Sequence, residues 1–502
     1  MAGSVWHTDA ASTARRSGPA DTLDASARLP WTPQPDALGL WHPSGRPARR
    51  LAIGRAAPSV PDLGGRFDVA IVAPDRAQAT RKWLQEAVGL AASSLEADGV
   101  LWLILPARRR GDARRIVRRA GLVPVGTVLM LQSWPRVTQL VSLAPTPVRD
   151  AAWRQLGWSS WAAGCAAAAA SLRPGRALLR RAAPASALLG ALHADVDPLA
   201  WLAALDGSAP CAATATISHR SDSRVAVVMR VPHGKDRPDL AVKVALDDTG
   251  IARTERERAA LVAFSSAASA AGAAVPGPRA GTGPGVLATE AISGRLASYL
   301  LARDPDRMDS VATVVAAWLR RWNAATASAQ SADMNLMNAL LLAPVSRLAG
   351  AGVVTPPYVA AVEALAHRLE GTRVTVTAAH NDLTMANVLL DGDRIGVVDW
   401  EAATARAAPL VDLWYALADA LARSTRGTHA QAVSAMAGPS DARPGTPTRL
   451  LAEAARALGL TRDQELLSFH ACWLHHAGNE LERGTTDGPF TAVLRGLCSP
   501  LP

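Results

Sequence analysis

The segment His380-Asn381-Asp382-Leu383-Thr384-Met385-Ala386-Asn387 places an imidazole, a carboxylate and a carboxamide within eight residues of one another. It reads as a loop that opens into a short apolar run, Val388-Leu389-Leu390. Asp391-Gly392-Asp393-Arg394 then reverses the chain, and Ile395-Gly396-Val397-Val398 returns as the paired strand. Asp399-Trp400-Glu401 stands at its end. The spacing HxDxxxxN, one hairpin, then an acidic residue is what phosphoryl transfer requires. One carboxylate orients the attacking hydroxyl and accepts its proton. An amide oxygen and a second carboxylate hold a divalent cation against the phosphates. The hairpin brings both ends to one edge of a sheet.

A second constellation lies upstream. Residues 224–231 and 240–245 read as adjacent strands joined by a polar loop, with Lys243 inside the second. Lys82, Lys235 and Lys243 are the only lysines, and all other basic side chains in the formal charge are Arg. A compact ammonium reaches phosphate oxygens differently from a guanidinium fork. The helix that follows contains Thr254-Glu255-Arg256-Glu257-Arg258. Val286 to Glu290 forms a further strand, followed by a linker that ends in Gly294.

These residues resemble the aminoglycoside phosphotransferase and choline kinase group, relatives of protein kinases. In that group Asp-Phe-Gly is commonly replaced by Asp-(Trp/Phe)-Glu, as in Asp399-Trp400-Glu401. The resemblance implies an ATP-dependent phosphotransferase that moves the γ-phosphoryl group to a hydroxyl of a small molecule. By position, Asp382 would be the catalytic base, His380 would brace its loop, and Asn387 and Asp399 would be Mg²⁺ ligands. The Asp of Pro409-Leu410-Val411-Asp412 would steady the loop. Lys243 would meet the phosphates and pair with an acid on the next helix. Glu257 is chosen because Leu261 and Phe264 share its side of the helix, with Glu255 as the alternative. Backbone groups from Glu290 to Ile292 would meet the adenine. One departure stands out: Ile217-Ser218-His219-Arg220-Ser221-Asp222-Ser223 precedes the first strand where a glycine-rich loop would be expected. It leaves a catalytically weak pseudokinase or nucleotide-sensing scaffold as the alternative reading.

The implied architecture is α+β, a two-lobed kinase-like domain over residues 205–502, with a small lobe at 205–290 and a helical lobe at 291–502. Residues 1–60 read as a poorly structured lead-in and 151–204 as an Ala- and Arg-rich helical connector. Between them, 61–150 reads as a Rossmann-like α/β domain: strand 67–72, helix 76–97, a turn at Asp98-Gly99, strand 100–105, a basic helix from Asp112 to Ala120, and a hairpin of 125–131 with 137–143. That order resembles the second half of a class I methyltransferase fold, without the glycine-rich turn that holds S-adenosylmethionine, so a degenerate, non-catalytic domain is expected.

The rest is exclusion. The chain has 502 residues, of which 49% are hydrophobic, enough for a sizeable core. No apolar run is long enough to span a bilayer and no signal-peptide-like segment opens the chain, so a cytoplasmic protein without membrane contact is expected. Cys165, Cys211, Cys472 and Cys498 show no paired spacing and read as free thiols. The arginines from Arg108 to Arg119 read as a solvated helix face, with few aromatic neighbours for nucleic-acid stacking. His470, His475 and His476 lack the spacing of a helical metal site and read as core or surface residues. Asp463, Glu465, Glu480 and Glu482 read as solvated helix charges, or alternatively as the acidic wall for a cationic acceptor.

Overall fold

A computed structural model of the chain describes residues 66–74, 80–106, 110–133, 136–142, 185–207, 211–217, 225–232, 237–279, 282–437 and 445–498, with residues 40, 42, 50–53 and 235. Described residues up to Gly207 fall into one compact unit and those from Cys211 onward into a second. Cys165, most of the lead-in, residues 151–184 and the loop 218–224 lie outside the described residues. Among the described residues, no helix is long and apolar enough to cross a membrane.

The first unit is a sheet with strands β1 (Arg50–Ile53), β2 (Phe67–Val72), β3 (Leu95–Pro106), β4 (Val123–Ser133), β5 (Arg136–Ser142) and β6 (Ala185–Ala191) in the order β1-β2-β3-β6-β4-β5. The first three are parallel, β6 runs antiparallel to both β3 and β4, and β4 and β5 form the expected hairpin. Helices α1 (Arg81–Ser93) and α2 (Arg110–Arg119) pack on one face through Leu84, Val88, Ile116 and Val117, against Leu101 and Leu103. A short helix, α3 (Ala200–Ala204), follows the sheet. Thr80 caps α1 by accepting from Trp83 N.

Three expectations need correction here. The lead-in contains a strand, β1, whose buried Leu51 and Ile53 pair it with β2. Four residues amid Pro, Gly and Arg carry too little periodicity to be read. The segment assigned to a helical connector contains β6. Ala and Leu favour a helix locally, but pairing on both edges overrides that preference. Asp98-Gly99 is no separate turn. It lies within β3, where the register against β2 slips between the Phe67–Leu95 and Val69–Val100 pairs.

The second unit opens with an antiparallel sheet of β7 (Cys211–Ile217), β8 (Val225–Pro232), β9 (Leu240–Ala245) and β10 (Val286–Glu290), in that order. Leu240, Val242 and Val244 are buried on one face of β9, and Lys243 lies on the other, as period two requires. The long helix α4 (Asp248–Ala270) lies between β9 and β10 in the chain and is capped by Asp247, which accepts from Gly250 N. The remainder is mostly helical: α5 (Ala297–Arg303), α6 (Met308–Thr326), α7 (Pro356–Leu369), α8 (Val411–Thr425), α9 (His429–Ala437), α10 (Thr446–Ala457), α11 (Arg462–Glu482) and α12 (Pro489–Cys498). Strand β11 (Arg373–Ala379) leads into the His380 loop, and β12 (Val388–Asp391) with β13 (Arg394–Val397) forms the predicted hairpin. Gly392 makes its turn in the left-handed region, at φ 62°. Trp318, Trp322 and Trp473 are fully buried in the core of this lobe, and Trp414 packs edge-on against Phe469.

The packing of β6 is testable. A β-carbon at Gly190 would lie 2.9 Å from Val117 Cγ1 of α2. Gly190→Val should therefore destabilise the first unit by about 1–3 kcal/mol through overpacking. Urea unfolding would read the loss, and unchanged stability would contradict the tight fit of α2 over β6.

Candidate active site

The His380 loop is held mainly through its backbone. Asp412, near the start of α8, accepts from His380 N at 2.7 Å and from Asn381 N at 2.8 Å. Asn381 adopts a left-handed conformation, φ 60°, which Asn tolerates better than most residues. Burial pushes the Asp412 carboxyl up to about 6, partly offset by the two N–H donors. The His380 ring is fully buried. Its Nε2 donates to Val398 O at 3.0 Å, and its Nδ1 accepts from Asp382 N at 3.3 Å. These roles define one neutral tautomer, and burial lowers its pKa to about 4.

Trp400 makes this loop part of the core. It lies against His380 with ring centroids 4.9 Å apart, against Trp322 of α6 at 5.7 Å and against Phe264 of α4 at 6.4 Å. Its Nε1 donates to Val397 O, and Trp322 Nε1 donates to Ala378 O just before the loop.

Asp382 and Asn387 meet directly. Asn387 Nδ2 donates to Asp382 O at 2.8 Å and faces Asp382 Oδ2 at 3.4 Å, which turns the amide oxygen away from Asp382. Tyr415 Oη lies 3.5 Å from Asp382 Oδ1. Across the hairpin, Val398 N donates to Asn387 O, so the residue before Asp399 is tied to Asn387.

Asp399 is left-handed at φ 69° and bonds Lys243 Nζ at 2.5 Å. The same ammonium bonds Glu257 Oε2 at 2.5 Å, which decides between the two acids on α4. Glu255 instead pairs with Arg258 and accepts from Gly285 N. Burial opposes the charge on Lys243, but Asp399 and Glu257 outweigh it and raise its pKa. Burial works likewise against Asp399, yet the ammonium holds its carboxyl below the ordinary range. Burial pushes Glu257 up to about 7 despite Lys243, with the Asp399 charge adding to the push. Two carboxylates thus share one cation, and Asp399 is the better partner. One helical turn before Glu257, Arg253 grips Glu401 with both nitrogens of its fork. Oxygen ligand atoms of Glu257, Asp399 and Glu401 lie within 4.8 Å of one another. Carboxylate oxygens are hard donors of the type Mg²⁺ takes.

The expected hinge is only partly available. The Glu290 side chain is 69% exposed and sits 3.7 Å from Arg279. Ala291 N–H is committed to Asp239 O at 3.0 Å, so it does not offer itself to a base. Ile292 packs over Gly396, where a β-carbon would overlap its Cγ2. Of the departing loop 217–223, only Ile217 is described.

Late acidic side chains do not form a wall. Asp463 pairs with Arg368, Glu465 with Arg462 and Glu482 with Arg347. Glu480 is buried and accepts from Phe490 N and Thr491 N at the start of α12. His470 bonds Tyr358, and burial lowers its pKa to about 4. The sequence reading named Glu401 without giving it a role and missed Arg253, Tyr415 and Asp419. Asp419 is buried, accepts from Met385 N at 2.7 Å and pairs with Arg423 and His429. Its signal was available: an acid seven residues after Asp412 in an otherwise apolar helix falls on the same face.

No curated protein matches the chain. Among solved structures, an aminoglycoside-3'-phosphotransferase of type VIII is 21% identical, covering 55% of this chain and 97% of its own at a TM-score of 0.34. A mutant aminoglycoside phosphotransferase in complex with ADP and hygromycin B is 16% identical, covering 59% and 95% at 0.37. A choline/ethanolamine kinase family protein from Mesorhizobium loti is 17% identical, covering 56% and 85% at 0.30. The family model described as the phosphotransferase enzyme family matches residues 167–450, more than half of the chain and the whole of the His380–Glu401 segment. The protein therefore belongs to the phosphotransferase enzyme family.

Proposed function

We propose that this protein is an ATP-dependent small-molecule kinase with its reaction centred on Asp382. The observation that carries the reading is the convergence of Asp382, Asn387 and Asp399: the first two bond directly, and the third is linked to Asn387 through Val398 and to Lys243. Asp382 orients the acceptor hydroxyl and accepts its proton as that oxygen attacks the γ-phosphorus. The bond to the bridging oxygen breaks and ADP departs. Asn387 through its amide oxygen and Asp399 through its carboxylate would hold Mg²⁺, with Glu257 and Glu401 close by. Bound there, the cation would supply charge neutralisation at the phosphates. Lys243, kept charged by its two carboxylate neighbours, would meet phosphate oxygens. His380 takes no proton: it is neutral, buried and fully engaged, and so braces the loop.

The acceptor is a hydroxylated small molecule, with aminoglycosides, amino alcohols, sugars and nucleosides as the compounds to screen. The glycine-free stretch at 217–223 supports a second reading, a nucleotide-sensing pseudokinase. Thermal shift with Mg·ATP followed by a transfer assay separates the two, because a sensor binds without turnover. In the first unit, the parallel strands β1–β3 under α1 and α2 support a Rossmann-like domain that has lost its glycine-rich turn. Heat on titration with S-adenosylmethionine would refute the loss.

Three outcomes follow. Asp382→Ala should lower turnover by about two to four orders of magnitude while nucleotide binding survives. Asp399→Ala should abolish Mg²⁺-dependent nucleotide binding, measured by calorimetry. Normal turnover in both variants would remove the assignment.

The third concerns pH. The folded pKa of His380 lies below that of the unfolded chain, so its contribution is complete above about 6.5 and is lost as pH falls through about 4. His380→Gln keeps a donor that does not titrate. The stability advantage of wild type over this variant should shrink by up to about 3 kcal/mol between pH 7 and 4 in urea unfolding. A pH-independent difference would show that burial does not hold this imidazole neutral. The opposing shift of Asp412 is common to both proteins and drops out of the comparison.

A further inference from the structure

One face of α8 follows the His380 loop residue by residue. Asp412 accepts from His380 N and Asn381 N. Asp419, two turns later, accepts from Met385 N. Between them, one turn from each, stands Tyr415, whose hydroxyl reaches Asp382 Oδ1 at 3.5 Å. Positions i, i+3 and i+7 lie on one helical stripe, so a single rigid element contacts the loop before, at and after Asp382.

We propose that Tyr415 is a positioning residue for the Asp382 carboxylate, with His476 of α11 holding it there; this rests on the kinase reading above. Asn387 faces Oδ2 and Tyr415 faces Oδ1, so the carboxylate is restrained from both sides. Each carboxylate oxygen has two lone-pair sites, and Oδ1 can accept from Tyr415 and from an acceptor hydroxyl together. Tyr415 itself has little freedom. It is buried, its ring stacks on His476 with centroids 3.7 Å apart and planes inclined by 27°, and Phe490 closes edge-on at 5.5 Å. The neighbouring His475 receives Asn479 Nδ2 on its Nε2 at 3.1 Å and lies edge-on to His476 with ring centroids 5.2 Å apart. His476 of α11 therefore reaches the loop through Tyr415. A ring used only as packing would have no need to direct its hydroxyl at Asp382.

Tyr415→Phe retains the ring and its stack and removes only the hydroxyl. With Mg·ATP as substrate and water as acceptor, it should lower kcat about tenfold, leave KM for Mg·ATP within about twofold and leave the melting temperature unchanged. Tyr415→Leu, which also removes the stack, should lower both kcat and melting temperature. Unchanged kcat in Tyr415→Phe overturns the proposal. Wild type and Asp382→Ala are assayed beside it. If both are equally inactive, the kinase reading fails by itself, and crystal structures of wild type and Tyr415→Phe decide the positioning role. A carboxylate that turns away from its wild-type orientation supports it, and one that stays in place overturns it.

Discussion

The ammonium of Lys243 is the point on which this site depends. It projects from an apolar strand and meets carboxylates from a helix fourteen residues later and from a hairpin end far down the chain. Removing an isolated charge from water is costly, so a buried ammonium persists only where partners compensate for lost hydration. Two carboxylates provide that compensation here. Arg253 and Glu401 form a second pair one helical turn away, so β9 holds Asp399 through Lys243 and α4 holds Glu401 through Arg253.

Polar bonds of this kind need a rigid base. Trp400 supplies it by joining α4, α6 and the His380 loop through ring contacts in a dry core. The loop backbone would otherwise leave N–H groups unpaired inside that core. Asp412 and Asp419 accept three of them. Their carboxyl pKa values shift in opposite directions for a plain reason. Asp419 has the His429 ring and the Arg423 guanidinium as partners, and its pKa falls despite burial. Asp412 has backbone donors, and burial wins.

The first unit obeys a different constraint. Its sheet is completed by a strand from beyond the hairpin, and that strand fits because Gly190 lets α2 approach closely. Local propensity argued for a helix there. Unpaired edges on β3 and β4 argued more strongly for a strand.

What the sequence alone determined was mostly local. The hairpin between Asn387 and Asp399 was legible from its turn residues and alternating apolar runs, the strand around Lys243 from its neighbours, and the choice of Glu257 from helical spacing with Leu261 and Phe264. Each rests on geometry within a few residues, which residue type and periodicity encode. Only the tertiary structure decided the rest. Arg253 and Glu401, Tyr415 and Asp382, and Asp419 and Met385 are partners separated by long stretches of chain, and spacing carries no information about them. The same holds for β6, whose strand character comes from neighbours on both sides, and for the late acids, which arginines and a helix N-terminus had already engaged. Local rules place a side chain on a face; packing decides what that face meets.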